Sequence, residues 1–367
     1  MSVPVSVHDG THSLPKLQIE AVLSVSPLKV TEPRRVRQVL MSENSQTFGG
    51  CYEIVLYYEK LNEDCDSVLA GWIVESLGRA LVEHPLLAGR LHRKEQGDTD
   101  NMGLWEIVSN DSGVRLYEAQ FPMMLSEFLA LSEKEHLEAE LVFWKEIDEH
   151  NPQFSPLFYV QVTHFECGGY SVGIGCSLLL ADILILENFL KKWTEIHNSV
   201  LIQNEEIKTP LFYHPLLTQN HESLPTDLIS RTPSKNEIHT MIFKFTAKDL
   251  NFNKELWREL AMQCVAEAEQ KLCKKVGSNF SVLVKESSEV IKIVKSGYST
   301  GMEMLQLNLN NEIIGATWND FGDYDVTFYE GNKPVIVSRW IGSVADGHVS
   351  VIPCQEDNVS AVIIVSL

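Results

Sequence analysis

The stretch FSPLFYVQVTHFECGGYSVGIGCSLLLAD, residues 154–182, decides the fold. It holds two runs of β-branched and aromatic residues, and the pair Gly168 and Gly169 separates them at a point where a tight turn is favoured. Residues 183–197 then repeat apolar side chains at helical spacing. The stretch therefore predicts a β-hairpin that leads directly into a helix.

The sequence on either side predicts two α/β units. Residues 51–59 favour a buried strand, and the amphipathic helix that follows is predicted to end at Pro85. Residues 201–237 contain four prolines among polar residues and are typical of a crossover between domains. We therefore expect an N-terminal domain at 1–200, this linker, and a C-terminal domain at 238–367. The C-terminal part is predicted to contain a helix at 255–276 and strands at 238–245, 280–284, 290–294, 305–309, 334–340, 348–353 and 359–367.

Composition excludes several classes of function. Lys and Arg total 30 against 50 for Asp and Glu, which gives a net charge of −20 and disfavours nucleic-acid partners. The most apolar stretch, 172–186, is shorter than the roughly 20 residues of a membrane span and includes an aspartate. We therefore expect that the chain is not an integral membrane protein. Seven scattered cysteines without a C-x-x-C pair favour reduced thiols over a zinc site. With no basic-then-apolar leader, these features predict a cytoplasmic protein.

Three segments, taken together, resemble a known family. HPLLAGRL at 84–91, VSNDSGVRLYEAQ at 108–120, and the hairpin at 154–175 are similar in order and distance to the plant BAHD acyltransferases. The resemblance implies transfer of an acyl group from coenzyme A to an alcohol or amine. It also implies two chloramphenicol-acetyltransferase-like domains with a channel between them. The family adds a final helix that this sequence does not contain, so we expect a shortened second domain.

The family motif that carries the chemistry is changed in this sequence. In the family, His-x-x-x-Asp follows the hairpin, and the histidine is the general base that removes a proton from the acceptor. The same positions here hold Leu178 and Asp182. Leucine accepts no proton, and the resemblance implies a structural role for Asp182, paired with an arginine of the other domain. The neighbours Cys176 and Ser177 need activation to act as bases, and His164 on the preceding strand is either a substitute base or an ordinary strand histidine.

A second family motif, Asp-Phe-Gly-Trp-Gly-Lys-Pro, is also eroded. Residues 327–334 are identified as its copy, and Phe328, Gly331, Lys333 and Pro334 survive there. In the family this motif is a structural turn. The segments 110–120 and 154–169 are most similar to the eceriferum-type branch of plant wax synthesis, which shares both erosions.

Three hypotheses follow for the function. The first is a relative without the catalytic base that binds an acyl chain or acyl-CoA and no permanent cofactor. The eceriferum resemblance adds a role with the condensing enzyme of very-long-chain fatty-acid elongation, at the surface of the endoplasmic reticulum. The second is an active O- or N-acyltransferase, or a related lyase, that uses another base. The third is a truncated or alternatively spliced product with a compromised fold.

Overall fold

A computed structural model describes most of the chain. The described residues are 16–41, 48, 50–60, 69–94, 104–132, 134–180, 182–204, 210, 239–246, 254–277, 280–296, 313–321, 326–344, 347–356 and 359–367. The helices are α1 Leu69–Glu83, α2 Leu125–Ala130, α3 Lys134–Glu138, α4 Ile183–Gln203 and α5 Lys254–Leu272. The strands are β1 Gln18–Val25, β2 Val36–Met41, β3 Cys51–Tyr58, β4 Arg90–Arg93, β5 Leu104–Val108, β6 Val114–Phe121, β7 Phe158–Phe165, β8 Tyr170–Ser177, β9 Thr240–Phe245, β10 Phe280–Lys285, β11 Val290–Ser296, β12 Ile313–Ala316, β13 Ile336–Gly342, β14 His348–Glu356 and β15 Val359–Ser366.

The strands form two mixed sheets. One has six strands in the order β1-β6-β7-β8-β3-β13, and the other has nine in the order β12-β9-β15-β14-β10-β11-β2-β5-β4. The predicted α/β class is therefore confirmed. The sheets exchange strands, because β2, β4 and β5 join the nine-stranded sheet while β13 pairs with β3 in the six-stranded one. Sheet membership thus crosses the predicted domain boundary, and most of residues 201–237 lie outside the described residues, so the domain ranges stay a prediction.

The hairpin and helix predicted around Gly168 are confirmed. Gly168 has a φ of 79°, a conformation that favours glycine, and its amide donates to the Phe165 carbonyl at 2.9 Å. The α4 helix begins directly after Asp182 and extends to Gln203, beyond the predicted end. Most C-terminal strands also form near their predicted positions, whereas the one predicted at 305–309 lies outside the described residues.

Apolar burial joins the two sheets into one core. The largest apolar cluster, called the shared core here, contains residues of both sheets together with α1 and α4. A second cluster packs α5 against the opposite face of the nine-stranded sheet. Strand β8 is buried along its whole length, and a Cβ at Gly173 would lie 1.9 Å from the Leu141 carbonyl oxygen. Within the described residues, no helix combines the length and apolar character needed to cross a membrane.

Candidate functional site

The turn between β8 and α4 carries the altered motif. Its first residue, Leu178, donates its amide to the Gly50 carbonyl at 3.1 Å, and the Leu180 amide donates to the Ser177 carbonyl at 2.9 Å. The Leu178 side chain is only 6% exposed. A Cβ built on Gly50 would lie 2.7 Å from its Cδ1 atom and 3.4 Å from Val344. An apolar side chain therefore fills the position that the resemblance assigns to the base.

Asp182 holds the start of α4 and binds the other sheet. One carboxylate oxygen accepts the Ile185 amide at 2.8 Å, as an N-cap does. The other accepts from the Lys285 ammonium at 2.5 Å, and the two side chains are 5% and 22% exposed. The resemblance implied an arginine as partner, whereas the structure places Lys285 of β10 there. Asp182 therefore connects the motif turn to the nine-stranded sheet.

A buried arginine, Arg37 of β2, also holds this turn. Its guanidinium donates to the carbonyls of Leu179 and Leu180, and its Nε donates to the Ser288 carbonyl at 3.0 Å. Burial lowers the pKa of Arg37, and the negative charge of Asp182 opposes that shift. Sequence reasoning missed this residue, because Arg37 and Leu180 are 143 positions apart.

The substitute bases considered from the sequence are not activated at this turn. His164 pairs with Glu118, with 3.4 Å between Nε2 and Oε1, and lies opposite Tyr170 at the far end of β8. That end is roughly 23 Å from Ser177 at the usual strand rise. Burial raises the pKa of the Cys176 thiol, which keeps it protonated at neutral pH. The Ser177 hydroxyl accepts the Leu179 amide at 3.3 Å.

A polar cluster that the sequence analysis did not single out lies on the nine-stranded sheet. His348 is 4% exposed, and its two ring nitrogens are each 2.8 Å from a serine hydroxyl, Nδ1 from Ser281 and Nε2 from Ser350. Burial lowers the pKa of His348 to about 4. The Ser350 hydroxyl also approaches the buried hydroxyl of Tyr52, whose pKa is raised by burial and then by the charge of Asp182. The sequence signal that could have revealed this cluster is the alternation of polar and apolar residues along these strands.

The eroded second motif packs against α4. The Phe328 ring is fully buried, with its centroid 5.0 Å from that of Trp193 and 5.3 Å from that of His197. Gly331 has a φ of 78° in the turn that follows, Pro334 is buried and Lys333 is exposed. These contacts place the segment in a packing position.

The described residues were also compared with the arrangement that a metal site needs. Among the residues that the structure describes, no group of three or more His, Cys, Asp or Glu side chains is arranged to hold a metal ion.

Comparison with known proteins identifies the family of the chain. The family model described as Transferase family matches residues 46–279. The chain belongs to this family, the BAHD acyltransferases. It is 28% identical over 215 residues to a hydroxycinnamoyltransferase of Narcissus pseudonarcissus, which covers 54% of this chain and 48% of that protein. It is 25% identical over 173 residues to an ECERIFERUM 26-like protein of Arabidopsis thaliana, which covers 45% of this chain and 39% of that protein.

These matches span less than half of each curated relative. A crystal structure of vinorine synthase is similar with a TM-score of 0.48 at 15% identity, over 96% of this chain and 95% of that one.

Proposed function

We propose that this BAHD-family chain binds acyl chains or acyl-CoA and does not carry out base-assisted acyl transfer at the motif turn. The observation that carries the proposal is Leu178, a buried side chain without a proton-accepting atom at the base position. A positioned general base contributes about 100- to 10,000-fold in rate. Without it, transfer to a neutral alcohol or amine falls toward the background rate.

The apolar character of the turn supports acyl binding. Leu178, Leu179 and Ile183 are all buried in the shared core, and Ile185 packs partly buried against it. A hydrocarbon chain gains about 0.8 kcal/mol for each methylene that leaves water. The replacement of the polar base by leucine therefore favours a lipid-like ligand over a polar acceptor.

The turn is held from the nine-stranded sheet although it contains no base. Arg37 and Lys285 still bind the turn and Asp182 from the nine-stranded sheet. Such contacts hold a loop in one conformation without contributing to proton transfer. They support a protein in which the turn is ordered and contains no base.

The finer proposal is a role as an accessory factor in very-long-chain fatty-acid elongation for cuticular wax. The match to the ECERIFERUM 26-like protein supports it. In this proposal the chain acts in the cytoplasm, at the surface of the endoplasmic reticulum, through a fatty-acid elongase condensing enzyme. Co-expression with such an enzyme in yeast, followed by analysis of acyl chain lengths, should show longer products than the condensing enzyme alone produces. Unchanged chain lengths would remove this role.

The acyl-transfer experiment separates the proposal from an active transferase. The purified chain is incubated with short-, aromatic and long-chain acyl-CoAs and a panel of alcohols and amines, and acylated product is measured by mass spectrometry. We expect no acylated acceptor above the uncatalysed rate, and thermal stabilisation by long-chain acyl-CoA but not by coenzyme A alone. Rapid transfer by the unmodified chain would refute the proposal and favour an enzyme with another base.

Leu178→His serves as the matched variant in that assay. If only the base is missing, this substitution raises transfer above the background of the unmodified chain. Leu178→Met is the control, because it keeps the volume and apolar character of the side chain and supplies no base.

A further inference from the structure

The cluster of Ser281, His348 and Ser350 belongs to strands β10 and β14, whereas the motif turn follows β8. Strands β10 and β14 run parallel, and Ser281 is directly opposite His348 in their register. Ser350 follows two residues later on the same face of β14. The buried pair is His348, 4% exposed, and Ser350, 2% exposed, whereas Ser281 is only partly buried. A partly exposed serine is thus joined to a buried histidine.

The hydrogen-bond distances are compatible with the tautomer of His348 that activates Ser281. A neutral imidazole has one donor and one acceptor nitrogen, and burial keeps His348 neutral at pH 7 by lowering its pKa to about 4. With the ring proton on Nε2, Ser350 accepts it at 2.8 Å, and Nδ1 accepts the Ser281 proton at 2.8 Å.

His348 differs from the neighbouring hydroxyl groups on the same sheet, whose hydrogen bonds only stabilise the strand pairing. The hydroxyls of the neighbouring residues Thr240 and Ser366 form a hydrogen bond with each other at 3.0 Å. An imidazole adds a ring nitrogen that can accept a proton, which two hydroxyls do not, and burial makes this one a weaker base than a free histidine. The residues beyond the cluster on the same face, Leu283 and Ile352, belong to the shared core, so the histidine lies at the border of an apolar region.

We propose that Ser281 is a nucleophile activated by His348, with Ser350 as a positioning residue, and that this site hydrolyses activated acyl esters or thioesters. A nucleophile within hydrogen-bond distance of a base that a third group orients is the arrangement such chemistry requires. The proposal goes beyond acyl binding at the motif turn and does not depend on it.

The reaction balances with water as the only co-reactant. Ser281 Oγ bonds to the acyl carbon while its proton passes to His348 Nδ1, and the bond to the leaving sulfur or oxygen breaks. The leaving thiolate or alkoxide takes that proton from His348. Water then attacks the acyl-serine, His348 accepts the water proton and returns it to Ser281 Oγ, and the carboxylic acid departs.

Covalent labelling tests the nucleophile directly. The full chain is treated with a fluorophosphonate probe, the labelled peptide is identified by tandem mass spectrometry, and p-nitrophenyl butyrate hydrolysis is followed in parallel. We expect label on Ser281, and about a 100-fold or greater loss of labelling rate and of hydrolysis in His348→Gln. Ser281→Ala should remove both. Ser199→Ala, in a serine of α4, is the control that should retain them.

Circular dichroism and thermal unfolding establish that each variant is folded before its rate is compared. A folded unmodified chain without label on Ser281, or one that labels at the same rate in folded His348→Gln, overturns the proposal. Ser350→Ala should slow labelling, and Ser350→Thr should restore it because threonine keeps the hydroxyl. Failure of that rescue removes the positioning role. Because labelling requires no acyl acceptor, its outcome is separate from that of the acyl-transfer assay.

Discussion

Asp182 is the residue whose substitution most directly tests how the motif turn is held. Its carboxylate both caps α4, through the Ile185 amide at 2.8 Å, and pairs with Lys285 at 2.5 Å. Asp182→Asn keeps a good N-cap group but removes the charge, whereas Asp182→Ala removes both functions. The pair of variants therefore separates the cap from the ion pair.

The structure sets the size of each effect. Loss of an N-cap costs about 1 kcal/mol. Removal of one partner from a fully buried ion pair costs about 3–5 kcal/mol, and because Lys285 is 22% exposed we expect a smaller loss, about 1–3 kcal/mol. Asp182→Asn should therefore lower the free energy of unfolding by about 1–3 kcal/mol, and Asp182→Ala by about 1 kcal/mol more.

Urea denaturation followed by circular dichroism measures these differences, and Lys285→Met combined with Asp182→Asn completes a double-mutant cycle. The cycle should give a coupling energy of the sign expected for an attractive pair. If Asp182→Ala is no less stable than Asp182→Asn, the cap assignment is wrong. If neither variant changes the free energy of unfolding, the turn is not held in the way that we describe.

Three further predictions concern packing, a buried ion pair and pH. Gly173→Ala would place a Cβ 1.9 Å from a backbone oxygen, so it should lower the free energy of unfolding by more than about 3 kcal/mol in a urea titration. Gly315→Ala is the control: no atom lies within 4 Å of the new Cβ, so the free energy of unfolding should change by less than about 1 kcal/mol. Arg339→Met should lower the free energy of unfolding by about 1–3 kcal/mol, because it removes the 2.9 Å ion pair with Glu187, which is 9% exposed. Combining Arg339→Met with Glu187→Leu should recover part of that loss, as measured by thermal unfolding. The pKa of His348 is about 4 in the folded chain and near 6.5 in the unfolded chain, so the unfolded chain binds the proton first as the pH falls. This group should therefore lower the free energy of unfolding by about 2 kcal/mol between pH 7 and pH 5. A His348→Gln variant whose stability has the same pH dependence would contradict this.

Local structure was predictable where short-range chemistry decides it. The glycine pair at Gly168 and Gly169, the β-branched runs around it and the apolar repeat after Asp182 were sufficient for a hairpin followed by a helix. The absence of a base at Leu178 was also visible without a structure, because side-chain chemistry alone excludes proton transfer. The partner of Asp182 was not predictable, since a lysine in β10 took the role that the resemblance assigned to an arginine.

By itself, the sequence determined the strand and helix pattern, the family resemblance and the presence of Leu178 where the resemblance implies a histidine, because each depends on residues that are close together in the chain. Tertiary structure alone decided the exchange of strands between the sheets, the hydrogen bonds from Arg37 to the motif turn and the contact of Ser281 with His348. Arg37 contacts a carbonyl 143 positions away, and Ser281 contacts a histidine 67 positions away. Such contacts depend on which strands pair and in which register, and burial then sets the charge of the groups that meet.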